Sequence, residues 1–104
     1  MTRGEIWWAV LPGPAGRRPV VLVSRESSYM VRAAVTVVEV STHIRGIASE
    51  VPLGKREGLT KPCVANGDNL VTIPKTRLTG RVGNISGAKL AALDAALKFS
   101  LGLR

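Results

Sequence analysis

Two adjacent arginines, Arg17 and Arg18, stand directly before Pro19 in the stretch GRRPVVLVSR, residues 16–25. A guanidinium stays charged at neutral pH and grips a phosphate through parallel N–H donors. It can also stabilise the charge of a pentacovalent phosphorane. Pro19 biases the residue before it toward extended backbone, so Arg18 is aimed rather than loose. The alternative is a pair of solvated loop arginines, and these two residues alone leave it open. Ser41 and Thr42 close the β-branched run AAVTVVEV. Hydroxyls at a strand end can orient a phosphate or a reacting 2′-hydroxyl. They can equally end the strand in a turn, bonding nearby backbone. His43 could act as a general base near neutral pH. It has no His or carboxylate beside it, and a surface loop histidine is the plainer reading. Cys63 reads as a small buried hydrophobe.

Other chemistries find little support. No G-x-S-x-G or H-E-x-x-H motif occurs, and the glycines match no phosphate-loop spacing. One Cys and one His make a poor metal-ligand set, and no cofactor is expected. A lone Cys cannot form an internal disulfide, which suits a cytoplasmic location. Fifteen basic against seven acidic residues give a formal charge of +8. Such an excess attracts polyanions, nucleic acid first and an acidic protein segment second. The bland alternative is charge kept for solubility.

These residues must be held by a small scaffold. A chain of 104 residues is enough for one domain, 1–104, with a core that is aliphatic rather than aromatic. No apolar run approaches the roughly 20 residues of a membrane span, and residues 1–5 carry no leader-like apolar segment. Residues 4–10 read as a strand, with Ile6, Trp8 and Val10 on one face and Trp7 and Ala9 on the other. One Trp is expected in the core and the other at an interface or as a stacking platform. Residues 11–18 read as a loop and 19–24 as a strand buried on both faces. Residues 33–40 form a third strand and 50–53 a short one, followed by a charged turn over 54–61. Residues 62–65 and 69–73 read as two strands separated by the turn pair Asn66-Gly67. A turn over 74–77 leads to a last strand, 79–85. Ser86 should cap a helix from Gly87 to Leu101, with Leu90, Leu93, Leu97 and Leu101 as its apolar stripe and Gly102 as its stop. The expected architecture is mainly β, a small, strongly bent barrel with a C-terminal helix packed on it.

The order of segments resembles the MazF/PemK family of toxin endoribonucleases. RGEIWWA at 3–9 resembles the family's opening strand, and RRPVVLVS at 17–24 its R-P-V-L-V-V strand. VTVVEVST at 35–42 and DNLVTIPKTRL at 68–78 resemble two further segments, and residues 82–103 the closing strand and helix. The resemblance implies an SH3-like barrel of the MazF/CcdB toxin type, working as a homodimer. It implies metal-independent cleavage of single-stranded RNA at short sequences, leaving a cyclic phosphate and a 5′-hydroxyl. The family's catalytic Arg falls on Arg18 and its catalytic Thr on Ser41, with Thr42 as the substitute if the register slips. RNA contacts would come from Arg17, Arg25, His43, Arg45, Asp68 and Asn69. The family also implies a MazE-like antitoxin whose acidic C-terminal tail wraps the basic groove, DNA binding by that complex, and growth inhibition. There are departures: the loop before Arg17 is short and lacks the family's Ser-Glu segment, and Val71 replaces an arginine.

Two other classes compete. A CcdB-like gyrase poison would act through a C-terminal helix ending in Trp, whereas this one ends FSLGLR. A non-catalytic basic RNA-binding module would keep the charge and lose the cleavage.

Overall fold

A computed structural model describes residues 1–104. Six strands form one antiparallel sheet: β1 (Glu5–Leu11), β2 (Gly16–Leu22), β3 (Ala34–Ser41), β4 (Glu50–Leu53), β5 (Cys63–Pro74) and β6 (Leu78–Asn84). Their order is β4-β5-β3-β2-β1-β6, and helix α1 (Gly87–Leu101) follows. The expected mainly-β architecture with a C-terminal helix is what the chain builds. The sheet curls, and its edge strands β4 and β6 do not pair. A single 3₁₀ turn, Lys55–Glu57, packs against β6 at that seam. A Cβ at Gly83 would lie 2.6 Å from the Glu57 carbonyl, so glycine is required for this approach.

The alternating pattern of β1 sorts its residues onto two cores. Ile6 joins Val21, Val38 and Val40 with Leu93 and Ala96 of α1 in one cluster. Ala9 and Leu11 join Val20, Leu22, Val35 and Val37 in the other, with Trp7 packed against it. The apolar run of β2 is buried on both faces, as its composition requires.

Three expectations change. Residues 17 and 18 lie in β2, not in a loop. Gly13 and Gly16 adopt positive φ (69° and 63°) and close the connection early, so Arg17 and Arg18 already pair with Val10 and Ala9. The break at Asn66-Gly67 is absent, and β5 runs through it. The pair occupies a bulge: the partner of Val38 is Leu70, and that of Val40 is Ala65. Asn66 is buried, and its side-chain oxygen accepts from the Asp68 N–H at 3.0 Å. A Cβ at Gly67 would meet the Ala96 carbonyl at 3.3 Å, so the glycine admits α1 rather than turning the chain. Finally, Leu101 is 54% exposed. Eight residues beyond Leu93 it has rotated about 80° off the buried line, whereas Ser100, about 20° off, continues it. The cap and stop stand where expected. The Ser86 hydroxyl accepts from the Lys89 N–H at 3.2 Å, and Gly102 is left-handed.

Candidate functional site

Pairing between β2 and β3 covers only Val20 to Leu22, opposite Glu39 to Val37. Pro19 offers no N–H to extend that ladder. It is tolerated inside β2 because the strand has a neighbour, β1, on one side only there. Beyond this point a cleft opens between the start of β2 and the end of β3. Trp8, Pro19, Val40, Ser41 and Thr42 line it, with Arg17 and Arg18 at one end. The same five residues continue into a more enclosed hollow of about 380 Å³. Its far wall is Leu59, Thr60 and Lys61, with Cys63 and Val82 alongside.

The two arginines are held differently. Trp8 pairs with Pro19 and Val10 with Arg17, so Arg17 lies diagonal to Trp8. Its guanidinium sits over the indole, 4.3 Å from the ring centroid. Arg18 donates from Nε to the Ala15 carbonyl at 3.0 Å, and its two terminal nitrogens have no protein partner. Neither arginine is in an ion pair. Only Arg3, Arg81 and Lys89 are, bound to Asp94, Glu5 and Glu57. The cleft and hollow carry three cations, Arg17, Arg18 and Lys61, and no carboxylate.

The hydroxyls face the same space. The Ser41 hydroxyl accepts from the His43 N–H at 3.0 Å, which closes the turn after β3 and fixes the Ser41 rotamer. Thr42 is exposed at the rim. The fold therefore brings Arg17, Arg18, Ser41 and Thr42 together. His43 follows directly but does not line the hollow. The Arg45 backbone N–H donates to the Glu50 carboxylate at 3.0 Å. Arg25 is exposed in the β2–β3 connection, away from the cleft. Asp68 and Asn69 lie in the β5 bulge, also outside it. The Asp68 carboxylate accepts from the Ser100 hydroxyl at 2.6 Å and from Ser49 at 2.9 Å. These bonds hold its carboxyl below the usual aspartate range.

Two features were not legible in the sequence. Lys61 and Thr60 reach the hollow only because the seam folds back, and no pattern marks them. The charged segment 54–61 also buries one of its charges: Glu57 is 5% exposed. Its carboxylate accepts from the Gly54 N–H at 2.7 Å and from Lys89 Nζ at 3.5 Å. Lys89 also donates to the Pro52 carbonyl, so α1 clamps this wall. Cys63 is buried as expected. Burial, and then Glu57, push its thiol up. No three His, Cys, Asp or Glu side chains come together as a ligand set.

Residues 2–101 match the family of PemK-like, MazF-like toxins of type II toxin–antitoxin systems. The chain belongs to this family. It is 37% identical over 103 residues to a probable endoribonuclease MazF2 of Mycobacterium tuberculosis, covering 98% of this chain and 99% of the relative. The endoribonuclease MazF3 of the same organism is 36% identical over 80 residues, covering 77% and 78%. Among solved structures, M. tuberculosis toxin MazF-mt6 superposes with a TM-score of 0.89 at 33% identity, over 96% of this chain and 98% of that one. A mycobacterial endoribonuclease in complex with its cognate antitoxin superposes at 0.88 with 29% identity, covering 100% and 97%. This MazF-family fold carries no helix long and apolar enough to cross a membrane.

Proposed function

We propose that residues 1–104 form one toxin domain, an endoribonuclease that cuts single-stranded RNA at short sequences without a metal. The observation that carries the chemistry is the convergence of Arg17, Arg18, Ser41 and Thr42 on one cleft with no carboxylate in it. The free terminal nitrogens of Arg18 would grip the scissile phosphate. The 2′-oxygen of the preceding ribose attacks phosphorus and forms the cyclic ester. The bond from phosphorus to the 5′-oxygen breaks; the proton of the attacking 2′-hydroxyl passes to water, and the 5′-oxygen takes a proton from water and leaves as a hydroxyl. Charge builds on the equatorial oxygens at the transition state, where a preorganised guanidinium acts most strongly. Arginine keeps its proton because its pKa exceeds about 12, so electrostatic stabilisation is its role. Ser41, its rotamer fixed by His43, would orient the phosphate, with Thr42 beside it.

The same unpaired cations suit a second polyanion. An acidic, disordered antitoxin tail would be steered onto the cleft and compete with RNA. The toxin would act in the cytoplasm as a homodimer. Exposed Phe99, Leu101 and Leu103 at the end of α1 supply apolar surface for an isologous interface. A strict monomer in light scattering at micromolar concentration would remove the dimer.

The deciding test incubates the protein with a long, weakly structured RNA in EDTA and maps new 5′ ends. Cuts at one short motif with 5′-hydroxyl ends are expected. RNA that is bound and left intact would sink the reading.

A further inference from the structure

We propose that Glu50 is a positioning residue for the cleavage: it holds the β3–β4 loop, residues 42–49, in the shape that orients the Ser41 and Thr42 hydroxyls. This rests on the ribonuclease reading above and names a residue outside the cleft on which that chemistry depends.

The loop has a demanding path. Ser41, the last residue of β3, pairs with Val64, and Glu50, the first of β4, pairs with Asn66. The sheet order puts β5 between these strands, so residues 42–49 must carry the chain from one side of β5 to the other. Both strands run antiparallel to β5 and therefore parallel to each other. Connections between parallel strands ordinarily take about a dozen residues or more, usually with a helix. This loop contains neither helix nor strand, so its backbone groups need other partners.

Two side chains supply them. At the start, the Ser41 hydroxyl accepts from the His43 N–H at 3.0 Å. On the return, one Glu50 carboxylate oxygen accepts from the Gly46 N–H at 2.8 Å and from the Arg45 N–H at 3.0 Å. The other oxygen lies 3.3 Å from the same Arg45 nitrogen. Gly46 has a φ of 71°, and successive N–H groups in such a bend converge on a point that takes an anion. The Glu50 N–H closes the bend by donating to the Ile47 carbonyl at 3.0 Å. Despite the surplus of cations in the chain, the Glu50 carboxylate is in no ion pair. It is committed to the loop backbone, through bonds stronger than those of a neutral acceptor.

The tie at residues 45 and 46 lies just beyond the His43 N–H that fixes Ser41. Without it the loop is anchored only at its ends, and the His43 N–H is free to leave the hydroxyl. Ser41 and Thr42 line the cleft with the two arginines, whereas Glu50 does not. Glu50 therefore acts through the loop and not on the phosphate.

The test compares the full-length wild type with Glu50→Ala, Glu50→Gln and Glu50→Asp. Glutamine keeps a carbonyl oxygen at the right reach for both N–H groups, while aspartate keeps the charge and is one methylene too short. In single-turnover cleavage at saturating RNA, the alanine and aspartate variants should be about tenfold slower, since misplacement by an ångström costs up to about a hundredfold. Glutamine should stay within about threefold of wild type, having kept both bonds. RNA affinity of the alanine variant should not fall, because removing a carboxylate strengthens attraction for a polyanion. Amide hydrogen exchange gives a readout independent of activity. In Glu50→Ala the Arg45 and Gly46 amides should exchange at least about tenfold faster, the worth of a bond to a charged acceptor, and His43 should follow. Aspartate cutting as fast as wild type while glutamine fails would make the charge the active feature and overturn the inference. So would exchange at His43 that ignores Glu50→Ala, or lost affinity with an unchanged cleavage rate. If Glu50→Ala does not fold, the order of glutamine and aspartate decides alone. A wild type that cuts no RNA overturns the ribonuclease reading and the positioning role with it, whereas normal wild-type cleavage with all three variants unaffected overturns this inference only.

Discussion

The Arg17 guanidinium lies 4.3 Å above the ring of Trp8, and the two residues are diagonal neighbours across the β1–β2 ladder. The contact explains why a tryptophan sits at a half-buried strand position beside a cleft. It holds one cation against an apolar face, while Arg18, the next residue, is tethered through Nε to the Ala15 carbonyl and keeps both terminal nitrogens free. The two adjacent arginines are thus held in different ways, one by a ring face and one by a backbone carbonyl.

Arg18→Ala should separate binding from cleavage. Removing a preorganised transition-state donor costs about 100- to 1,000-fold in kcat. RNA affinity should fall only a few-fold, because Arg17 and Lys61 remain. Single-turnover cleavage and filter binding on one RNA read the two effects. Normal cleavage by Arg18→Ala would place the site elsewhere.

Ser41→Ala should slow cleavage more than Thr42→Ala. The Ser41 hydroxyl is fixed by the His43 N–H, whereas Thr42 is an exposed rotor at the rim. A larger loss in the threonine variant would shift the hydroxyl role by one residue.

Glu57→Ala should destabilise the fold and loosen the wall it clamps. It orphans the Gly54 N–H and leaves Lys89, a third exposed, without its carboxylate. A loss of about 2 kcal/mol is expected, allowing for solvent around the lysine. Urea unfolding measures it, and an unchanged midpoint would show that the clamp contributes nothing.

The Asp68 carboxyl has its pKa lowered by the Ser100 and Ser49 hydroxyls. A depressed folded-state value adds stability at pH above the unfolded value, about 3.9 for aspartate. That stability is lost as pH falls through the folded value. The gap in unfolding midpoint between wild type and Asp68→Asn should therefore be constant from pH 7 to about 5 and close below about 4. A gap that widens on acidification would reverse the assignment.

Part of this protein could be read directly from its residues. The alternation in β1, the apolar run of β2, the Ser86 cap and the Gly102 stop are local signals with local causes, and each held. The arginine pair, Ser41 and Thr42 stood out because their types suit phosphate chemistry. Asn66-Gly67 misled for an instructive reason. A turn pair is a local preference, and here the close approach of α1 and the Ser49 carbonyl, which accepts from the Gly67 N–H at 2.8 Å, used the same residues as a bulge.

Outside residues 16–18 and the Asn66-Gly67 bulge, the sequence by itself determined the element types, and it also fixed the surplus of positive charge and the residues able to meet a phosphate. Those follow from side-chain chemistry and from periods of two and 3.6 residues, which need no partner to be seen. The tertiary structure alone decided that Ser41 faces Arg18 across a cleft, that residues 59–61 return to wall a hollow, and that Glu57 is buried. These are contacts between segments far apart in the chain. They depend on how the sheet curls and where its edges fail to meet, and no local pattern encodes either.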